Sequence, residues 1–188
     1  MTRIRAAGFT LLEILVSLAI MAALVAVVYP ALNSKLRDAR TATLAQTLLG
    51  FSQAIAEMKR ATTMYPSSLS QLTTAPVANS STNICGAGNT FTTAAAAQWR
   101  GPYVSREIPS GGVPAGDATI NLALRRVTSA SSTWLVMDVP SVETQVANDL
   151  ETLFDGSTTN SSTTGTIQTG TPSDGLTSLS YYMPINSC

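Results

Sequence analysis

The chain has 188 residues, in which 11 lysines and arginines balance 11 aspartates and glutamates, with no histidine and two cysteines. This length fits one anchor and one small domain, and the balanced charge gives no support to nucleic-acid binding. The lack of histidine excludes Ser-His-Asp catalysis, Cys-His catalysis and the usual zinc sites. We therefore expect a protein that is not an enzyme and holds neither a metal nor a cofactor.

The first element is an apolar stretch over residues 9–29, which is long enough to cross a bilayer as a helix. Glu13 is the only carboxylate in this stretch, and the next cation after it is Lys35. A lone carboxylate in a membrane helix costs roughly 2.5–3.5 kcal/mol on insertion scales, so it is expected to have a partner or a purpose. Arg3 and Arg5 precede the stretch and predict that its N-terminus faces the cytoplasm.

The segment that runs from Arg3 to the sequence GFTLLE at residues 8–13 resembles the leader and cleavage site of the type IV pilin family. The resemblance implies that a prepilin peptidase removes the basic leader, residues 1–8, by cutting between Gly8 and Phe9. It also implies that the new Phe9 amine is N-methylated. A secretory signal has its apolar segment before the cut, whereas here the apolar stretch follows Gly8 and would stay on the mature protein.

Processing would place a free amine on Phe9, four residues before Glu13. Within one helix this spacing allows the two groups to pair with each other. In a filament, Glu13 can instead meet the Phe9 amine of a neighbouring subunit. Such a buried pair penalises a wrong axial register, because a lone buried charge is costly. The alternative is an ordinary N-terminal anchor in which Glu13 only reaches toward the headgroups.

We predict one long helix over residues 9–61, with residues 9–29 as its transmembrane or filament-core part. A kink is expected at Pro30, because proline removes a hydrogen bond and clashes with the preceding turn; many pilins also place a proline there. The second half of the helix has one apolar face, which suits packing on a sheet better than a coiled coil. That face is formed by Leu44, Leu48, Phe51, Ile55 and Met58.

The rest of the chain, residues 62–188, is expected to form a globular head. Residues 67–72 predict a short helical turn, and residues 73–118 predict a variable connecting region with little regular structure. Within this region the sequence WRGPY at residues 99–103 resembles the Trp-x-Gly-Pro-Tyr motif of the major pseudopilins of type II secretion. We interpret its two aromatic residues as covering the core rather than forming a binding cage.

Strands are predicted where apolar residues alternate, over residues 119–127 and 133–139, with Pro140 ending the second strand. A helix should follow, with Ser141 at its N-cap and Gly156 after its end. Its buried stripe is expected to consist of Val142, Val146, Leu150 and Leu153.

A short strand near Ile167 and a last strand from Leu179 toward Cys188 complete the predicted sheet. One long helix followed by three or four such strands predicts an α+β fold, in which the helix packs on a small antiparallel sheet.

Cys85 and Cys188 favour one disulfide if the head is exported. This bond would tie the end of the sheet to the connecting region and, by closing a loop of about 100 residues, would stabilise the head by up to roughly 4.7 kcal/mol. Pilins commonly carry a disulfide around a C-terminal variable region, so the resemblance implies the same pair. The alternative is two free thiols.

Two ligand hypotheses concern charged residues. Major pseudopilins bind calcium in an acidic loop, and carboxylates that could supply such a site here are Asp149, Glu151, Asp155 and Asp174. The acidic loop itself is replaced by EIPSGG at residues 107–112. A DNA-binding patch for uptake could be formed by Arg100, Arg106, Arg125 and Arg126, but the balanced charge favours a solvated or salt-bridged surface, and we do not expect nucleic acid as a partner.

With these features, the chain resembles a structural subunit of a type IV pilus-like cell-surface filament. The resemblance implies that the subunit waits in the inner membrane with a periplasmic head and ends in an extracellular filament. Its expected partners are other subunits, the prepilin peptidase and an assembly ATPase with its platform. Two alternatives stay open: a pseudopilin of type II secretion, and a membrane-tethered adhesin or binding module that never polymerises. Adhesion, motility and DNA uptake are not distinguished.

Overall fold

The computed structural model describes residues 10–85, 88–129, 132–157 and 163–185. The chain divides into two compact units, the first ending at Ala39 and the second beginning at Arg40. The first unit contains the initial part of helix α1 (Leu11–Thr62), and the second contains the rest of α1 and the head. A long helix followed by antiparallel sheets confirms the predicted α+β class.

Helix α1 closely matches the predicted helix and continues through Pro30. The kink expected at this proline stays a prediction. Within the second unit, α1 buries one stripe, because its apolar residues recur every three or four positions. The stripe contains all five predicted residues, and its buried members are Thr41, Leu44, Ala45, Leu48, Phe51, Ala54, Ile55, Met58 and Thr62.

The connecting region contains a few short regular elements. The expected turn is a 3-10 turn, Leu69–Leu72, whose N-cap Ser68 accepts a hydrogen bond from the Ser70 amide. Beyond it lie a short helix α2 (Thr93–Ala97) and a strand β1 (Val113–Ala115). The prediction of a region with little regular structure did not include these two elements, because elements this short leave too little periodicity to detect.

The WRGPY segment covers the core, as interpreted. The rings of Trp99 and Tyr103 meet edge to face with centroids 5.7 Å apart, and both side chains pack against the buried cluster. The Trp99 indole donates to the Gln71 carbonyl at 3.0 Å, and the Tyr103 amide donates to the Leu72 carbonyl at 2.8 Å. A Cβ added at Gly101, which precedes a cis proline, would lie 2.2 Å from the Trp99 ring.

Two antiparallel sheets make up the β part of the described head. Strand β1 pairs with β2 (Ala118–Ile120) in a two-stranded sheet. The second sheet has the order β3-β4-β6-β5. Its strands are β3 (Leu124–Ser129), β4 (Ser132–Glu143), β5 (Ile167–Thr169) and β6 (Leu176–Ile185).

The single strand predicted over residues 119–127 is divided between β2 and β3. The intervening residues pair with the segment before the 3-10 turn: the Leu69 amide donates to the Leu122 carbonyl, and the Leu124 amide donates to the Ser67 carbonyl. The apolar alternation runs through both strands, so the sequence pattern did not reveal the change of partner.

Pro140 does not end the second predicted strand, because β4 passes it through a bulge between Val139 and Val142. A bulge leaves residues outside the ladder, where the missing proline N–H costs no hydrogen bond. The helix that follows, α3 (Thr144–Asp155), therefore starts later than predicted, with Glu143 rather than Ser141 at its N-cap.

The buried stripe of α3 also differs from the prediction. Val142 is buried, but in β4, and Leu153 is 64% exposed. The residues that α3 buries are Val146, Ala147, Leu150 and Glu151. Gly156 ends α3 in the left-handed region with φ 74°, as predicted.

An ion pair crosses the outer face of the larger sheet. Arg125 donates to both carboxylate oxygens of Asp138, at 3.0 and 2.9 Å, and the Ser180 hydroxyl donates to the same carboxylate at 2.6 Å. Burial tends to raise the pKa of Asp138, but the hydrogen bonds from Arg125 and Ser180 outweigh it and hold that pKa below the ordinary value. The ion pair with its added serine therefore joins three strands: Arg125 lies in β3, Asp138 in β4 and Ser180 in β6.

The contact between Gly101 and Trp99 predicts that Gly101→Ala destabilises the head by about 1–3 kcal/mol, because the added methyl group must displace the indole. The free energy of unfolding is measured by denaturant titration of the full chain in detergent. Gly50→Ala is the matched control: no atom lies within 4 Å of its Cβ position, so it should stabilise the helix by roughly 0.5–1 kcal/mol. Equal effects of the two changes would contradict this account.

The lowered pKa of Asp138 predicts an acid-sensitive head. Its contribution to stability is present above the unfolded-state pKa, about 3.9, and is lost as the pH falls through the folded-state value. The unfolding midpoint should fall more steeply with acid in the wild type than in Asp138→Asn, as measured by thermal melts from pH 6 downward. Asp174→Asn, which removes an exposed carboxylate, serves as the control and should keep the wild-type slope.

Candidate functional site

The first unit presents an apolar helical surface. Every residue from Thr10 to Leu36 is exposed, including Leu11 at 79% and Val27 at 75%. Helix α1 is long and apolar enough to cross a membrane, and its most apolar 18-residue window has no buried residue. Such a surface is stable only against lipid or other apolar helices.

The hydroxyl groups in this segment are satisfied within their own helix. The Ser17 hydroxyl donates to the Ile14 carbonyl, and the Ser34 hydroxyl donates to the Ala31 carbonyl, each at 2.9 Å. Neither serine therefore brings an unpaired polar group into lipid. Glu13 is left as the one charged side chain between residues 9 and 34.

Glu13 lies in the first turn of α1, which Thr10 caps. The Thr10 Oγ1 atom accepts a hydrogen bond from the Glu13 amide at 3.2 Å, and the Thr10 carbonyl accepts from the Ile14 amide at 3.3 Å. Threonine followed three residues later by glutamate is the capping-box pattern. Sequence reasoning missed this cap, although the Thr10–Glu13 spacing was there to indicate it.

The cap places the Glu13 carboxylate at the positive end of the helix dipole, where negative charge is favourable. The nearest cation further along α1 is Lys35, about 33 Å away at 1.5 Å per residue. Between Glu13 and Lys35 the first unit has no cation, and we expect the partner of Glu13 to come from the start of the chain or from another molecule. Gly8 and Phe9 lie outside the described residues, so cleavage, methylation and the role of Glu13 stay predictions.

The predicted disulfide also extends beyond the described residues. Cys85 is half-buried at the edge of the core, where its amide donates to Asn83 Oδ1 at 2.9 Å and its carbonyl accepts from the Arg126 guanidinium at 2.6 Å. Cys188 lies outside the described residues. The bond between the two cysteines stays a prediction.

The carboxylates considered for calcium do not gather at one point. Asp155 accepts the Thr166 and Ile167 amides at 2.8 and 2.9 Å, Glu151 is buried, and Asp174 is exposed in a turn. In the described ranges, no three His, Cys, Asp or Glu side chains could hold a metal together. The expectation that the chain has no cofactor stays a prediction.

Three of the four arginines considered for DNA binding hold parts of the head together. Arg125 pairs with Asp138, Arg126 donates to the Cys85 carbonyl, and Arg106 donates to the Pro114 carbonyl at 2.8 Å. Arg125 is thus in a salt bridge, while Arg126 and Arg106 donate to backbone carbonyls. The expectation that nucleic acid is not a partner stays a prediction.

Comparison with known proteins identifies the N-terminal segment. Residues 3–29 match the family model for the prokaryotic N-terminal methylation motif. The matched range contains Gly8, Phe9 and Glu13 and ends just before Pro30. The search of curated proteins and the search of solved structures each found no match. The match thus concerns the N-terminal segment, and it does not extend to the head.

The Thr10 cap predicts that Thr10→Val loosens the first turn of α1 by about 1 kcal/mol, because the Glu13 amide loses its side-chain acceptor and keeps only the Thr10 carbonyl, at 3.1 Å. Amide hydrogen exchange at Glu13 and Ile14, measured by NMR in detergent micelles, should become several-fold faster. Thr10→Ser keeps the hydroxyl and should exchange like the wild type. Equal exchange rates in Thr10→Val and the wild type would contradict the cap.

Proposed function

We propose that this type IV pilin-like or pseudopilin protein is a structural subunit of a cell-surface filament, assembled from the inner membrane by packing of its N-terminal helix. The observation that carries the proposal is the exposed apolar surface of α1 over residues 11–29, which bears one carboxylate, Glu13, and lies within a methylation motif. This motif implies processing by a prepilin peptidase and assembly into a filament.

Before assembly, residues 9–29 lie in the inner membrane with the head in the periplasm. In the filament, helices of neighbouring subunits replace the lipid around this segment. Lipid is as apolar as a leucine side chain, so the exchange depends on close packing between helices. Transfer from the membrane to the filament therefore avoids exposing the apolar surface to water, which is the costly alternative.

Glu13 sets the register of this packing. Cleavage after Gly8 creates an amine on Phe9, and the Glu13 carboxylate of one subunit pairs with the Phe9 amine of its neighbour. A correct register neutralises both charges in the apolar core, whereas a shifted register leaves each charge alone there. Because the cost of a lone buried charge exceeds the gain from the pair, this contact selects a register more than it adds stability.

We also propose a disulfide between Cys85 and Cys188, because the head is exported in the proposed function. Arg126 already holds the Cys85 carbonyl to β3, so the bond would join the end of the chain to a segment anchored on the sheet edge. No catalytic role is proposed.

A pseudopilin of type II secretion is the second candidate, favoured by the resemblance of the WRGPY segment to the Trp-x-Gly-Pro-Tyr motif of the major pseudopilins. A membrane-tethered adhesin that never polymerises is a third candidate, of another class. Immunogold electron microscopy of the native cell separates them. Long surface filaments containing this chain indicate a pilus, short periplasmic assemblies indicate a pseudopilus, and label spread over the membrane indicates a tethered module.

Glu13→Val should insert into the membrane and lose its leader normally but enter filaments at less than a tenth of the wild-type amount, because the neighbouring amine loses its partner. Sheared filaments and membrane fractions are compared by immunoblot. Ser17→Val is the matched control, since its hydroxyl bonds only to its own helix, and it should assemble normally. Wild-type incorporation of Glu13→Val would overturn the docking role.

The mature protein is expected to start at Phe9 and to carry a methyl group on its amine. N-terminal sequencing and intact-mass analysis of protein purified from its native host test this. A native protein that still begins at Met1 would overturn the proposed function, because the amine would be on the wrong residue.

A further inference from the structure

An amphipathic groove of about 480 Å³ lies on the head, bordered by α1, the β1–β2 hairpin, the start of α3 and the turn before β6. Its apolar lining includes Leu44, Val146 and Leu176, and Leu176 is 47% exposed. Its charged rim is formed by Arg40, Asp117, Glu143 and Asp174.

The rim has more negative than positive charge. Arg40 pairs with Asp117 at 2.6 Å and with Glu143 at 3.1 Å, so one cation serves two carboxylates. Asp174, at the tip of a tight turn with φ 52°, is exposed and makes no ion pair within the described ranges. A long side chain with an aliphatic stem and a cationic tip matches a groove with an apolar floor and a negative rim.

The same chain carries such a side chain at the other end of the head part of α1. Arg60 is exposed and has no ion pair within the described part of the chain. It follows Arg40 by twenty residues, which places it about 30 Å along the helix and about 200° around it. The groove and the Arg60 side chain therefore lie on opposite sides of α1 and at different positions along the helix axis.

This arrangement excludes contact within one molecule and suits contact between two. When two copies lie side by side with parallel helices, offset by about 30 Å, Arg60 of one copy faces the groove of the other. Each copy then keeps a free groove on one side and a free Arg60 on the other. Such a heterologous contact does not close on itself, and it can propagate along a filament.

We propose that Arg60 of one subunit binds in the groove of a second copy of this chain, where it pairs with Asp174 and the neighbouring carboxylates. The proposal rests on the proposed function and adds a contact between heads to the packing of the apolar helices. Because the contact lies at the surface, it contributes more to register and partner selection than to affinity.

Charge reversal and charge exchange test the contact in native cells. Arg60→Glu alone and Asp174→Lys alone should each reduce filament yield at least threefold, and the double variant should restore most of the loss. Thermal melts of each variant establish that the head is folded. If Asp174→Lys disrupts the turn, Asp174→Asn is used instead to remove the charge. Arg100→Glu, another exposed arginine, is the control and should assemble normally.

Cysteine cross-linking gives an independent readout. A chain with both Arg60→Cys and Asp174→Cys should form a ladder of covalent dimers, trimers and longer species when filaments are treated with a short bismaleimide, whereas either single variant should not. The linker replaces the length of the arginine side chain, which a direct disulfide cannot span. The groove contact would be overturned if intact filaments gave no cross-link or gave dimers without a ladder. It would also be overturned if the single charge reversals had no effect on filament yield. In each case the filament proposal stands. Absence of wild-type filaments would instead overturn the proposed function.

Discussion

Exclusion of water from the first part of α1 is the constraint on which the rest of this protein depends. Fifteen large apolar side chains between Leu11 and Leu36 are exposed. Burying one such side chain stabilises a protein by about 1.5–3 kcal/mol, so this surface in water would cost on the order of tens of kcal/mol. A typical domain has a total stability of only about 5–15 kcal/mol. Lipid or neighbouring helices are therefore required, and no adjustment of the head could replace them.

The second part of α1 packs against the rest of the head. There the helix is apolar on one side only, and that side provides the centre of the core, with Leu48, Ile55 and Met58 completely buried. Both sheets and α3 contribute to the same buried cluster. One continuous helix thus offers an all-round apolar surface in one unit and a single buried stripe in the other.

Some backbone groups at the edges of the two sheets make polar contacts. Pro114 in β1 has no N–H, and its carbonyl accepts from Arg106. At β5, the carboxylate of Asp155 accepts the amides of Thr166 and Ile167. Such contacts use backbone groups that could otherwise pair with a strand of another molecule. They fit the proposed assembly, which proceeds through helices and side chains.

The sequence by itself determined the elements whose signal is long or chemically distinctive. The apolar stretch with its solitary Glu13, the stripe from Leu44 to Met58 and the alternation in β6 all repeat over enough residues to be unambiguous. The α+β class follows from these elements, and the N-terminal motif follows from residue identity alone.

Only the tertiary structure decided where short elements begin, end and find partners. Pro140 stays in β4 because a bulge absorbs it, and Leu153 is exposed because α3 turns Val146, Ala147 and Leu150 toward the core. The groove around Arg40 joins residues that are up to 136 positions apart in the chain. Their encounter depends on how the hairpin, α3 and the turn before β6 pack on α1, and packing between distant segments leaves no local periodicity in a sequence.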